Sequence, residues 1–254
     1  MEVQLTNSID PDRLVLKILK DSDCRAESLI ETIENLESRP SDALLVYYLG
    51  HGAYDRRFEI EDPYGGHYLD LPQKDLLRKT VWDHMETASA RLRVLVTDSC
   101  NVESVADPDS RYRSETRTME KSIRGSTPTE WLFLAHKGRC DVGAASKGQF
   151  AWYSEDIGGW FTSQWIETSN RLDSWAELRN QVIPETEQLY ASKRTEYQSR
   201  PATTRPSSLA SLLQQEKMTP QIQLTKVVRD ANGPIGVHTE RSFSTPETVT
   251  VPVP

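Results

Sequence analysis

Two short stretches carry the side chains best suited to chemistry. One is His51, held between Gly50 and Gly52; the other is Cys100, preceded by Asp98 and Ser99. Each follows an apolar run, Ala43 to Leu49 in the first case and Leu92 to Thr97 in the second. A thiol and an imidazole brought together can cleave an amide. The sulfur attacks the carbonyl, while the imidazole takes the thiol proton and delivers one to the leaving amine. A glycine beside the histidine suits the same chemistry, because without a side chain its backbone N–H can approach the scissile oxygen. The N–H groups of Gly52 and Cys100 are the candidate oxyanion donors. Taken singly, a cysteine that ends a strand is more often a small buried apolar residue, and a lone histidine is more often structural.

The elements around these residues place them on one rim. Ala43 to Leu49 is a continuous apolar run between Pro40-Ser41-Asp42 and Gly50-His51-Gly52, the pattern of a strand buried on both faces of a parallel sheet. Leu92 to Thr97 predicts a second such strand. Helices are expected over Glu27 to Arg39, where Leu29, Ile33 and Leu36 recur with Ile30 beside them, and over Leu71 to Glu86. The order helix, strand, helix, strand builds a parallel sheet with helical crossovers. In such a sheet the carboxyl ends of the strands form the ligand-binding edge, so His51 and Cys100 should emerge together.

Other segments are read in the same way. Val3 to Thr6 alternates like a short strand, and Phe58 to Leu71 reads as a hairpin or excursion turning at Gly65-Gly66. Arg139 to Ala145 is a third core strand leading into Ser146-Lys147-Gly148-Gln149. Gly158-Gly159 precede a helix through Trp165, and a further helix starts at Asp173 with Trp175, Leu178 and Val182 on one face. Pro184 is expected to kink or restart it. Leu209 to Val228 supplies a last helix and an edge strand. Trp152, Trp160, Trp165 and Trp175 are read as core, with one possible lining residue of a groove.

Length and composition narrow the function. At 254 residues the chain can bury a sizeable core, and its 30 basic against 38 acidic residues give a formal net charge of −8. No basic stripe is present, which argues against nucleic acid or an anionic membrane as partner. The longest apolar run is far shorter than the roughly 20 residues a membrane helix requires. The first residues lack the pattern of a secretory signal, so a cytoplasmic chain is expected. Cys24, Cys100 and Cys140 form no CxxC pair and no disulfide framework. Cys24 and Cys140 are read as structural. One domain is expected over 1–228, with an exposed Arg-rich loop at 107–129, a linker-like loop at 199–208 and a disordered tail at 229–254.

Leu-Gly-His51-Gly52 after one apolar strand and Val-Thr-Asp98-Ser99-Cys100 after the next resemble the caspase and metacaspase family of cysteine peptidases. The 49 residues from 51 to 100 match the spacing of about 50 between the caspase histidine and nucleophile. Gly143-Ala144-Ala145-Ser146, Gln149, Ala151 and then Gly159-Trp160-Phe161-Thr162 are similar to the strand and loop beside the substrate groove in bacterial caspase-like proteins. The resemblance covers roughly Asp42 to Glu167.

It implies an α/β fold, a caspase-like three-layer sandwich with a central mostly parallel sheet. It further implies a cysteine endopeptidase with Cys100 as nucleophile, His51 as general base and acid, and no cofactor. Asp98 falls where metacaspases place an acid at the floor of the pocket preceding the cut, which would favour Arg or Lys by charge pairing. Ala145 and Ser146 would line the same groove. Protein or peptide is the implied substrate, with self-cleavage in the 111–124 loop as a corollary.

Three departures stand out. Asn101-Val102-Glu103 replace the metacaspase His-Ser-Gly, Lys147-Gly148 stand where a second acid is usual, and the family's opening strand and helix have no counterpart, so the first strand is expected to be missing. A catalytically inactive caspase-like module that binds protein partners is the alternative. A general α/β hydrolase is disfavoured by the lack of a GxSxG elbow. Glu59, Glu61 and Asp62 beside Asp70 are read as a solvated face rather than a calcium loop. His67, His84, His136 and His238 are read as ordinary.

Overall fold

In the computed structural model, described over residues 1–58, 65–103, 127–154, 157–201 and 214–230, both apolar runs form strands where the sequence predicts them. The elements are α1 (Glu2–Ser8), α2 (Ala26–Glu34), β1 (Ala43–Leu49), β2 (Gly52–Tyr54), β3 (His67–Leu69), β4 (Leu76–Leu77), α3 (Arg78–Thr87), β5 (Leu92–Asp98), β6 (Val102–Glu103), α4 (Pro128–Leu134), β7 (His136–Gly143), β8 (Tyr153–Ser154), β9 (Gly158–Gly159), α5 (Trp160–Ser169), α6 (Trp175–Ser199) and β10 (Gln221–Arg229). The main sheet runs β1-β5-β7-β10; the first three are parallel and β10 is antiparallel to β7. A smaller sheet, β4-β3-β2-β6, sits beyond the ends of β1 and β5.

Helices cover both faces. Leu92, Val94 and Val96 of β5, with Cys140 and Val142 of β7, pack into a core that also takes Leu5, Leu132, Phe161, Trp165, Trp175 and Leu178. On the other face Leu44, Val46, Tyr48 and Leu95 meet Ala26 and Ile33 of α2 and Val81, Trp82 and Met85 of α3. This is an α/β fold of three layers around a mostly parallel sheet. Trp152, Trp160, Trp165 and Trp175 all lie in the first core. Trp165 and Trp175 pack with ring centroids 5.7 Å apart, and the Trp175 indole N–H donates to the Leu132 carbonyl at 2.7 Å. That acceptor satisfies the one polar atom of a buried indole.

β5 is the strand buried on both faces, whereas β1 lies at the sheet edge, pairs only with β5, and alternates between buried and half-buried side chains. Among the described residues no strand precedes it. Val15, Leu16 and Ile18 stand exposed ahead of α2.

Several sequence expectations change. Val3 to Thr6 belongs to helix α1: Leu5 and Ile9, the latter just past its end, are the buried apolar residues, four apart, and a four-residue alternation is too short to outweigh that spacing. α2 ends at Glu34, five residues before the predicted end. Helix α3 starts only at Arg78, because Leu76 and Leu77 pair with β3. The loop assigned to 107–129 stops earlier: Thr127 caps α4, its hydroxyl accepting from Glu130 N at 3.1 Å, with Pro128 at the first helical position. The rest of that loop, 107–126, lies outside the described residues, as do 202–208 of the linker-like loop and 231–254 of the tail. α6 runs unbroken through Pro184, since Leu178, Val182, Thr186 and Tyr190 bury one stripe along it and outweigh one missing N–H. β10 is the expected edge strand and extends to Arg229, which pairs with Asp173.

Candidate active site

His51 and Cys100 are set opposite each other by strand register. β1 pairs with β5 so that Ala43 faces Leu92 and Leu49 faces Asp98; beyond the sheet, β2 pairs with β6 so that Ala53 faces Val102. Both parallel ladders keep one offset, 49 residues, and His51 and Cys100 fill the gap between them in that same offset. Adjacent strands of such ladders lie about 4.8 Å apart. His51 and Cys100 thus sit on neighbouring strand exits at the carboxyl end of the sheet.

Glycines permit this approach. A Cβ on Gly52 would stand 2.8 Å from both the Cys100 carbonyl and Ser99 Oγ, so any side chain would force the two chains apart. Gly50 N donates to the Asp98 carbonyl at 3.3 Å, and a Cβ on Gly50 would collide with the Tyr48 hydroxyl. That hydroxyl reaches the His51 carbonyl at 2.8 Å, to which Asp70 N also donates at 3.1 Å. The His51 main chain is thereby fixed from two sides.

Cys100 is partly buried, with Sγ 3.6 Å from the Ala151 carbonyl. Burial pushes its thiol up from the ordinary range; the Ala151 carbonyl contact counters this and the nearby Asp98 carboxylate adds to it. The thiol is therefore protonated at neutral pH. Immediately afterwards Asn101 N donates to the Gln149 carbonyl at 2.9 Å, and Gly148 N donates to the Asn101 carbonyl at 2.7 Å. Gln149 Oε1 in turn accepts from Ser146 N at 3.3 Å and Thr219 N at 2.8 Å. The exit of β5 is thus laced to the turn that follows β7.

Asp98 ends β5 only 4% exposed. Its Oδ2 accepts from Thr162 N at 3.1 Å and from Thr162 Oγ1 at 2.6 Å, in the first turn of α5, where the helix dipole also favours a carboxylate. Burial raises its pKa to about 6, with the two Thr162 bonds acting in the opposite direction. Gly159 is required here, since a Cβ would collide with Asp98 Oδ2. Of the other candidates, Ala145 is fully buried beyond β7, and the Ser146 hydroxyl donates to the Thr219 carbonyl at 2.8 Å.

Thr162 and His67 had no role assigned from the sequence. His67 is 2% exposed, with Nε2 3.1 Å from the Cys100 carbonyl. Its only sequence signal was the alternation His67-Tyr68-Leu69, which buries the first and third residues of β3. Cys140 lies fully buried in β7, where burial drives its thiol far up, and Cys24 is half-buried against the α2–α3 face. Among the described residues no group of three or more His, Cys, Asp or Glu side chains is placed to hold a metal; Glu59, Glu61 and Asp62 lie outside them. No described helix is long and apolar enough to cross a membrane. A groove of about 640 Å³ along α6, lined by Glu177, Gln181 and Pro184 among others, includes neither His51 nor Cys100.

No family model matches the chain, and no curated protein matches it. Among solved structures it is similar to caspase-1 from Spodoptera frugiperda, with a TM-score of 0.47 and 14% identity over 78% of this chain and 68% of that one.

Proposed function

We propose that the chain is a caspase-like cysteine endopeptidase in which Cys100 is the nucleophile and His51 the proton carrier. The observation that carries this reading is the shared register of two parallel ladders, which sets an imidazole-bearing and a thiol-bearing residue opposite each other at a sheet's carboxyl end. Burial pushes the Cys100 thiol up, so a base must take its proton for the sulfur to attack. His51 takes it while Sγ bonds to the carbonyl carbon, and the N–H groups of Gly52 and Cys100 receive the developing oxyanion. Collapse breaks the C–N bond, the His51 proton goes to the leaving amine, and a thioester remains on Cys100. Water, deprotonated by His51, then releases the acid and restores the thiol.

Cleavage after Arg or Lys rests on Asp98. A cationic side chain would give this carboxylate, otherwise held by neutral donors, a charge partner and return it to its ionised form. The same preference would expose the arginines of 111–124 to cutting by the enzyme itself.

Hydrolysis of fluorogenic peptides ending in Arg, Lys, Asp or neutral residues tests the reading. The expected result is release after Arg or Lys, falling by about 10⁴-fold or more in Cys100→Ala. Equal hydrolysis by that variant would overturn the assignment of Cys100. No hydrolysis by a folded, monodisperse chain would favour the binding module instead.

A further inference from the structure

We propose that His67 is a positioning residue for the nucleophile, holding the Cys100 main chain through a hydrogen bond donated by Nε2. The proposal deepens the peptidase reading and rests on Cys100 being the nucleophile. His67 Nε2 lies 3.1 Å from the Cys100 carbonyl oxygen and 3.3 Å from Ser99 Oγ. A carbonyl can only accept, so Nε2 carries the proton, which fixes the tautomer and leaves Nδ1 bare.

The bond completes a grip on one peptide unit. The Cys100–Asn101 peptide offers a C=O and an N–H; His67 takes the first and the Gln149 carbonyl takes the second at 2.9 Å. With both polar atoms held, the Cys100–Asn101 peptide plane is fixed, and together with the β5 strand that enters Cys100 it restricts where the Cα can carry the thiol. His67 reaches this carbonyl from β3, which flanks β2 on the side opposite β6. The bare Gly52 of β2 is what keeps the approach open, since a side chain there would crowd the same carbonyl oxygen.

The two histidines divide the work. Burial, assisted by the Arg78 guanidinium, lowers the His67 pKa to about 3, so His67 stays neutral and carries no proton in catalysis. Arg78 is itself anchored to Asp141 in the core. His51 moves protons, and His67 fixes geometry.

Three substitutions separate this role from mere filling of space. The amide nitrogen of His67→Gln can occupy the place of Nε2, that of His67→Asn occupies the place of Nδ1, and His67→Leu keeps apolar volume without a donor. On the peptide the wild type cuts best, His67→Gln is expected to keep kcat within about threefold, whereas His67→Asn and His67→Leu lose roughly 10²-fold in kcat with KM nearly unchanged. His67→Leu should melt no lower than His67→Gln. A packing role predicts the reverse order of activity, so a Leu variant as active as the Gln variant would overturn the proposal. Hydrogen exchange at the Asn101 amide reads the same grip without any substrate. Faster exchange in Leu and Asn but not in Gln supports it, and equal exchange in Leu and Gln overturns it. A wild type that cuts no peptide would sink the peptidase reading, while the exchange measurement would still decide on His67.

Discussion

Asp98 and Asp141 stand on adjacent strands of one sheet and are equally buried, at 4% exposure each, yet their surroundings are opposite. Asp141, in the interior of β7, is ion-paired with the Arg78 guanidinium, which also donates to the Val142 carbonyl at 2.6 Å, and it accepts the Trp82 indole N–H at 3.0 Å. Asp98, at the rim, has only the neutral donors of Thr162, and among the described residues no cation pairs with it. The interior thus compensates its charge within the fold. At the rim a carboxylate is kept without a counter-ion, at a cost in stability, beside the residues proposed to do chemistry. Perturbed groups of this kind concentrate where function requires them.

The largest effect should come from breaking the compensated pair. Arg78→Met leaves Asp141 buried with one neutral donor and should lower unfolding free energy by about 3–5 kcal/mol in urea melts. The double variant Arg78→Met/Asp141→Leu should recover part of that loss, because no charge is then left buried, while the Trp82 indole N–H loses its acceptor. A single variant that melts like the wild type would show that the interior does not depend on its ion pair, and the contrast with Asp98 would collapse.

The uncompensated carboxylate makes a different prediction, in pH. Folding raises the Asp98 pKa from 3.8 to about 6, so the folded state favours the protonated form. Its contribution to stability is fully present below about pH 4 and is lost as pH rises through about 6, amounting to about 3 kcal/mol. His67 runs the other way: with its pKa lowered to about 3, it contributes stability above about pH 6.5 that is lost as pH falls. The two trends oppose each other across the same window, so the wild-type profile alone cannot display either. Subtracting the profile of Asp98→Asn, which does not titrate, isolates the carboxylate. Wild type should lose about 2 kcal/mol relative to the variant between pH 4 and pH 6.5, and a level difference would mean that Asp98 is ionised at no cost.

What was legible in the sequence follows the strength of each local signal. Two apolar runs bounded by turn residues located β1 and β5 and, with them, the rim that carries His51 and Cys100. The first run reads as a strand buried on both faces, yet β1 lies at the sheet edge with alternating burial, because neighbours in a sheet are set by long-range pairing. Val3 to Thr6 offered four residues of alternation, fewer than needed to tell a strand from one turn of helix. Pro184 predicted a break that a long buried stripe overrode. Thr127-Pro128-Thr129-Glu130 did carry a readable helix start, a capping threonine with glutamate three residues later, inside a stretch judged polar loop. His67 and Thr162 act through contacts 33 and 64 residues away in sequence, to Cys100 and Asp98. No local pattern encodes such contacts.

The smallest expected effect lies one residue from the largest. Lys79 follows Arg78 in α3 and pairs with Asp83 at 2.7 Å, but both side chains are about half exposed, at 44% and 55%. Water already solvates these charges, salt screens them, and the order Lys before Asp is the weaker one along a helix. Asp83→Asn should therefore cost about 0.3 kcal/mol or less, and the difference should vanish at high salt. Arg78→Met and Asp83→Asn each remove one member of an ion pair contributed by the same helix, to a carboxylate at similar reach. If their costs differ by about tenfold, burial is what separates them, and the uncharged setting of Asp98 is a choice of environment rather than of residue type. If Asp83→Asn costs as much as Arg78→Met, solvent exposure does not grade these pairs, and the interior and the rim would have to be distinguished on other grounds.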